Sequence, residues 1–417
     1  MNIPEAKQQT KFFGLSKNVL TMGGVSFLND VSSDMIFPYI PIFITQVLGA
    51  PIVFVGLVEG VADATASILK VVSGRLSDVF HRRKPLVVFG YSLSAFSKPL
   101  LALAISPWHV LVVRFFDRVG KGARDAPRDA LLSMSTHRKI LGRAFGFHRG
   151  ADTLGAAVGP LLAFALLPLL NNNLRHLFLL SFVASFFAVL LIIFFVKEVH
   201  DGIRKSDAAG VVKELSRDKK FHFSKLGVSF FIFLAGATIF SLGKVSEAFL
   251  LLRAQEVGIA LAFLPLLYFI YNFTLAIFST PAGALSDRIG HRNTYMIGMF
   301  IFVGTYFLFA TVSSVYALWI FFAFLGFHGA LTEGVGRAIV ADLVREEWRG
   351  TAYGMYNACT GIAALPASLA FGFIWDAYGP TASFLYGSFL GLLALVIFMC
   401  LRIARTRYKQ NHQMLGV

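Results

Sequence analysis

Two pairs of carboxylates are set in otherwise apolar sequence at the spacing of one helical turn. Asp30 and Asp34 are four residues apart with Asn29, Ser32 and Ser33 around them, and Glu59 and Asp63 repeat the spacing. On a helix each pair projects from one face. Carboxylates that share a low-dielectric cavity are the arrangement from which proton exchange is expected. Pro38 and Pro41 follow the first pair. Prolines free backbone carbonyls and bend a helix, which exposes polar backbone to a cavity and suits a substrate or ion site.

Basic groups are just as concentrated. Arg114, Asp117, Arg118, Lys121, Arg124, Asp125, Arg128 and Asp129 fall in one segment, with positions 114, 118, 121, 125 and 128 on one helical stripe. A charge inside a bilayer costs a few kcal/mol and faces a partner or a cavity, so no lipid-facing helix carries such a stripe. Arg114, Arg118 and Lys121, joined by Lys98, are expected in a cavity, attracting anionic groups or relaying charge. For Arg124 to Asp129 a salt-bridge network with carboxylates of the first two helices is the alternative. The second half is sparser: Lys244 and Glu247, three residues apart and able to neutralise each other, then His328, Glu333, Arg337 and Asp342. A lone buried His328 is most simply a hydrogen-bonded packing residue. Tyr39, Tyr268, Tyr271, Phe273 and Tyr356 lie near the same helices, as substrate contacts or as lipid-facing aromatics.

The elements that must position these residues follow from composition. Of 417 residues 56% are hydrophobic, 14% aromatic and only 15% charged, with 44 Phe, where soluble chains carry about 25% charged residues. Apolar runs predict helices over residues 19–47, 52–80, 84–106, 108–133, 141–169 and 174–196, then 225–253, 258–287, 292–313, 315–344, 349–376 and 379–402. The reading is an all-α polytopic membrane protein of twelve transmembrane helices in two pseudo-symmetric six-helix bundles. The bundles span 19–196 and 225–403, between a tail of residues 1–18, a charged linker over 197–224 and a tail of 404–417. No segment is left for a soluble catalytic domain, so an enzyme is not expected. Cys359 and Cys400 both lie in apolar segments, which excludes a disulfide framework and a Cys-based metal site; no metal and no cofactor are expected.

The net charge of +15 would suggest nucleic acid in a soluble protein, but the basic residues alternate between loops. Lys7, Lys11 and Lys17, Arg82 to Lys84, Arg138 to Arg143, the linker, Arg288, Arg292, Arg345, Arg349 and the C-terminal tail fall on one side, against Arg175 and Arg253 on the other. Both termini and the linker are therefore expected in the cytoplasm, in a multi-pass protein of the cell (inner, cytoplasmic) membrane. Its partners would be the lipid bilayer, a small-molecule solute and protons rather than nucleic acid, and a monomer is expected.

Gly74-Arg75-Leu76-Ser77-Asp78 ends the second predicted helix and Gly283-Ala284-Leu285-Ser286-Asp287 the eighth. Gly142 to Gly146 opens the fifth and Gly350 to Gly354 the eleventh, at nearly the same offset. Two six-helix halves carrying this repeat resemble the major facilitator superfamily over essentially the whole chain. The family's loop signature G-x-L-a-D-R-x-G-R-K is followed closely from Gly283 through Asp287 and Arg292. The copy with Gly74, Asp78 and Arg82 departs at Val79 and His81. The resemblance implies alternating access about a midplane site, with these loops as cytoplasmic gates. Simple helix termination and topology fixing is the alternative reading of the same residues. Gly146, Gly155, Gly159 and Pro160 match a fifth-helix pattern that marks antiporters in the family; a glycine-lined packing face with a kink fits them equally.

No G-x-x-x-x-G-K-[ST] loop occurs, which disfavours ATP-driven transport by this chain. The expectation is a secondary transporter performing proton-coupled efflux of a small organic solute. A proton-coupled importer of a metabolite or metal chelate (a siderophore), or a non-transporting receptor on the same fold, are the alternatives. Asp30, Asp34, Asn29, Glu59, Asp63, Arg114, Asp117, Arg118, Lys121, Lys244, Glu247 and Glu333 are the candidate substrate and coupling residues.

Overall fold

The computed structural model describes residues 15–80, 83–136, 140–198, 226–345 and 348–414, with the side chains of 71, 74–80, 141–142 and 400–414 outside that description. Among the described residues there is no strand, and twelve long helices follow in order. The first half comprises α1 (Lys17–Ile36), α2 (Ile52–Phe80), α3 (Lys84–Ala102), α4 (Pro107–Met134), α5 (Leu141–Leu169) and α6 (Leu174–Phe195). In the second half α7 is broken into α7a (Val228–Gly243) and α7b (Glu247–Val257), followed by α8 (Leu264–Ile289), α9 (His291–Thr311), α10 (Val315–Leu343), α11 (Arg349–Tyr378) and α12 (Pro380–Met414).

Two departures from the predicted helices have local causes. Instead of running on to residue 47, α1 ends at Ile36 and gives way to a 3-10 turn (Phe37–Tyr39), a short helical piece (Ile40–Ile42) and a π turn (Phe43–Val47), because Pro38 and Pro41 cannot donate to the helical ladder. The seventh helix, predicted as continuous, breaks after Gly243. Ser246 restarts it by accepting a hydrogen bond from the Ala248 amide at 3.4 Å. Gly258, at φ 117°, then closes α7b in the left-handed conformation that glycine adopts without penalty.

Ten of the crossings are long and apolar enough to span a membrane; α1 and α4 are not among them. α4 carries the charged stripe and α1 its two carboxylates among polar residues, and both are tolerated because they pack inward. α1 lies against α5 and α6, and α4 against α2 and α3. The halves meet along two seams, α2 on α11 and α5 on α8, the first being the most extensive helix contact in the molecule. Glycine makes it possible: a Cβ on Gly372 would lie 2.7 Å from the Val53 Cα, and one on Gly56 would collide with the Ser368 carbonyl.

Away from the basic loops this seam is locked by polar contacts. Asp376, at the end of α11, accepts the Ile52 amide at 3.0 Å and the Val53 amide at 2.7 Å. It thereby caps the N-terminus of α2, whose first amides have no intrahelical acceptor. Nearby, Trp375 donates to Glu256 at 3.2 Å and Gln255 to Gln46 at 3.1 Å.

Candidate functional site

A cavity of about 300 Å³ lies between the halves where α1, α2 and α4 face the break in α7 and the first turns of α8. Its wall is Asn29, Asp30, Ser33, Asp34 and Phe37 from α1 and the turn after it, Glu59 and Asp63 from α2, and Arg114, Asp117, Arg118, Lys121 and Arg124 from α4. Across from them stand Ser246, Glu247 and Tyr268. The helical spacing read from the sequence therefore converges as expected, with each carboxylate pair and the upper part of the α4 stripe turned to one space.

Hydrogen bonds order this wall. Arg114 donates through Nη2 to both Glu59 oxygens, at 2.9 and 3.0 Å, and lies 3.5 Å from Asp117. Both partners are nearly buried, at 6% and 3% exposure, so the pair is a charged brace between α2 and α4. Arg118 reaches Asp117 only at 3.9 Å. Asn29 donates to Asp30 at 3.0 Å. Two bonds cross between the halves, from the Tyr268 hydroxyl to Asp34 at 3.2 Å and from Ser246 to Glu59 at 3.4 Å. Among the described residues Asp63 and Lys121 make no hydrogen bond or direct ion pair. Lys98 is buried just behind α1, donating to Ser32 at 2.7 Å, and does not line the cavity.

From this cavity a polar path leads to the basic loops. A second space of about 510 Å³ shares Asp63, Arg118, Lys121, Ser246 and Glu247 with the first and adds Lys70, Lys244 and Arg337. A third, of about 710 Å³, shares Lys70, Asp125 and Arg337 with the second and reaches Asp129, Asp287 and His291 at the helix ends. On the opposite side the α2–α11 seam and the Asp376 cap hold the halves together, and Ile52, Val53 and Asp376 line none of these three spaces.

Several expectations need correction. Lys244 makes its ion pair with Glu333, at 3.8 Å, and shares its field with Glu247 as well. The helix break turns Glu247 to the Tyr271 hydroxyl, 2.9 Å away. Among the described residues the lower α4 charges form no direct ion pair with the carboxylates of α1 and α2, although Arg124 lines the cavity and acts on Asp30 through its field. Arg124 donates to Ser94 at 2.8 Å and stacks 4.2 Å from the Tyr91 ring centre on α3, while Arg128 pairs with Asp125 and Asp129 of its own helix. Within the second copy of the loop signature, Asp287 lies 3.5 Å from His291 Nε2. Gly283 and Asp287 border the open vestibule, Asp287 is 77% exposed, and His291 bonds to Asp342 at 2.8 Å. Arg82 and the Asp78 side chain lie outside the described residues, as does the surface around Gly74; Arg292 is described but borders none of these spaces. On α5, Gly155 and Gly159 sit against the α1 backbone beside Asp30 and Asp34, next to Pro160, while Gly146 faces open space. Of the aromatics, Tyr268 lines the cavity, Tyr39 is buried away from it, and Phe273 is 48% exposed.

Three features escaped the sequence reading. His148 and Asp152 on α5 border the vestibule, with His148 Nε2 2.8 Å from Ser26 and Nδ1 3.7 Å from Asp152. They show the same four-residue spacing that flagged α1 and α2. Ser246, after Gly243, is an N-cap signal inside an apolar run. Asp376 stands at the wrong end of its own helix dipole, which is itself a sign that another helix receives it. Among the described residues no group of three or more His, Cys, Asp or Glu is placed to hold a metal ion.

Two helical bundles around a charged central cavity are the architecture of a multi-pass membrane transporter. The chain belongs to the major facilitator superfamily, whose sequence profile matches residues 22–252 and 232–414. An uncharacterized MFS-type transporter of Methanocaldococcus jannaschii is 36% identical over 392 residues, covering 92% of this chain and 95% of that protein. The multidrug resistance protein MdtH of Photorhabdus laumondii is 29% identical over 165 residues, 40% of this chain and 39% of MdtH. Among solved structures, the nucleoside transporter NupG (D323A mutant) superposes with a TM-score of 0.75 at 15% identity, over 92% of this chain and 99% of that one. A POT family transporter in complex with a thioalcohol-conjugated peptide gives 0.78 at 13%, over 96% and 98%. At these identities the two structures speak to the fold.

Proposed function

We propose that this transporter exchanges a small polar solute for protons by alternating access, exporting the solute from the cytoplasm, with the basic loops on the cytoplasmic face. The observation that supports the reading is the chain of polar spaces that leads from the basic helix ends to Asp30, Asp34, Glu59 and Asp63, while the Asp376 cap ties α11 to α2 on the other side. This is one of the two conformations that alternating access requires. The other would release the Asp376 cap and close the vestibule around Asp287.

In this scheme Asp30 and Asp34 take the proton, Glu59 and Asp63 share it, and Arg118 with Lys121 set the charge of the site. Coupling acts through the two bonds that cross between halves at the cavity. A hydrogen bond to a charged group contributes about 1.5–3 kcal/mol and a neutral one about 1. Protonating Asp34 therefore weakens its link to Tyr268 and biases the halves toward separation on the cavity side. Export is favoured by the tight α1–α5 contact at Gly155 and Gly159, which match the antiporter-type pattern, and by the partial likeness to a protein named for multidrug resistance.

Reconstituted into liposomes, the protein should drive solute against its gradient when the compartment receiving the solute is the more acidic. Flux driven the opposite way would make it an importer, and solute binding without flux under any gradient would make it a receptor.

A further inference from the structure

We infer that the solute is a small hydrophilic zwitterion, its cationic group received by Asp63 and Glu247 and its anionic group by Lys121. This rests on the central cavity being the transport site and does not require proton coupling.

The cavity wall contains no aliphatic side chain; Phe37 and Tyr268 are its only carbon-rich surfaces. Binding sites for lipophilic molecules are lined mainly by apolar groups, so a drug-like cation or a neutral aromatic would strip water from charges and offer them nothing. Size narrows the class further. The innermost space of about 300 Å³ holds about ten waters at roughly 30 Å³ each, enough for an amino acid or an aminophosphonate, and the adjoining space gives room for a short peptide.

The pattern of unpaired charge then selects sign. Glu59, Arg114, Asp117 and Arg118 are engaged with one another, Asp125 with Lys70 and Arg128, and Lys244 with Glu333. Among the described residues Asp63 and Lys121 have no hydrogen bond or direct ion pair and sit in the field of neighbours such as Arg118 and Asp125, and Glu247 bonds the Tyr271 hydroxyl with Lys244 nearby. All three border both the central cavity and the space next to it, so they stand together where a solute enters. An acid and a base that face one cavity without a direct ion pair each keep hydrogen-bonding capacity for a solute group of opposite sign, which at that depth is where a charged group finds a partner. A dicarboxylate would meet Asp63, Glu247, Asp30 and Asp34. A diamine would leave Lys121 unanswered. A zwitterion satisfies both signs, and because Asp63 and Lys121 belong to the first half and Glu247 to the second, it would bridge them.

The test is thermal unfolding of the purified full-length protein in detergent. The probes are amino acids, aminophosphonates and glycyl dipeptides, each alongside its N-acetylated and its carboxamide derivative. At least one zwitterion should raise the unfolding temperature, and blocking either end should abolish the rise. Asp63→Asn should lose the discrimination against N-acetylated compounds and Lys121→Gln the discrimination against carboxamides. Asp63→Glu and Lys121→Arg, which keep the charges, should retain both and show that the losses are not failures of folding. Stabilisation by lipophilic cations or by N-acetylated compounds in preference to zwitterions, or no response to any zwitterion, would overturn the proposal. A protein that binds the zwitterion while its flux ignores a pH gradient would refute the coupling and leave the cargo assignment standing.

Discussion

The two halves share a plan and a loop motif, yet one is built as a site and the other as a frame. In the first half the interior of the bundle is charged, with the Glu59–Arg114 brace, the α1 carboxylates and the α4 stripe around one cavity. In the second half the equivalent interior is aromatic. Phe240 packs on Phe302 at 4.9 Å between ring centres, Phe233 on Phe398 at 5.5 Å, and Phe309 on Phe384 at 5.3 Å. Even its buried histidine is structural: His328 bonds the Gly298 carbonyl at 2.9 Å and is flanked by Phe240 and Phe302. Lipid offers no hydrophobic drive between helices, so such ring packing and its dispersion energy hold the frame. The difference teaches that a duplicated scaffold needs its chemistry only once, provided the inert half contributes a few contacts at the seam. Here Ser246, Glu247 and Tyr268 do so, and the broken α7 exists to deliver two of them.

The comparison breaks first at its strongest charge contact. Arg114→Ala leaves Glu59 buried without its partner, and such losses cost about 3–5 kcal/mol. The variant should unfold at much lower temperature and lose transport, with Glu59→Gln on the same background recovering part of the stability. If Arg114→Ala were neutral in thermal unfolding, the brace between α2 and α4 would not be holding the site.

At the outer seam the expected effect is smaller. Asp376→Asn removes a charged cap on α2, a change of about 1–2 kcal/mol. That is a five- to thirtyfold shift in the population open on the side of the Asp376 cap. Labelling of a cysteine placed at Ser33, with Cys359 and Cys400 replaced by Ser, should rise accordingly from that side. Unchanged labelling would mean the seam is held by helix packing alone.

The least effect is expected in the frame. Phe240→Leu should cost about 1–1.5 kcal/mol of stability and leave the pH dependence of transport where it was. A displaced pH profile in this variant would show that the second half takes part in coupling and would erase the contrast.

How much of this the sequence discloses depends on how far apart the partners are. Asp30 with Asp34, Glu59 with Asp63, and the α4 stripe are visible because each is periodic within one helix, and their convergence follows once those faces turn inward. What stays hidden is set by partners far along the chain. Asp376 meets Ile52 and Val53 from the other half, Lys244 makes its ion pair with Glu333, and Arg124 finds Ser94 and Tyr91. The break in α7 was legible in part, since Gly243 and Ser246 punctuate the run, but three residues of irregular backbone do not interrupt a hydropathy window. The loop motif shows a further limit: sequence names a latch without saying in which conformation it is closed.

The central claim is that the carboxylates of the first half couple the solute to the proton. Proteoliposomes loaded with a pH-sensitive dye, given a zwitterion that stabilises the protein in solution, measure it directly. Wild type should move protons when the solute is added, and Asp34→Asn should bind the same solute and move none. Proton movement of wild-type size with Asp30 and Asp34 both neutralised would contradict the account.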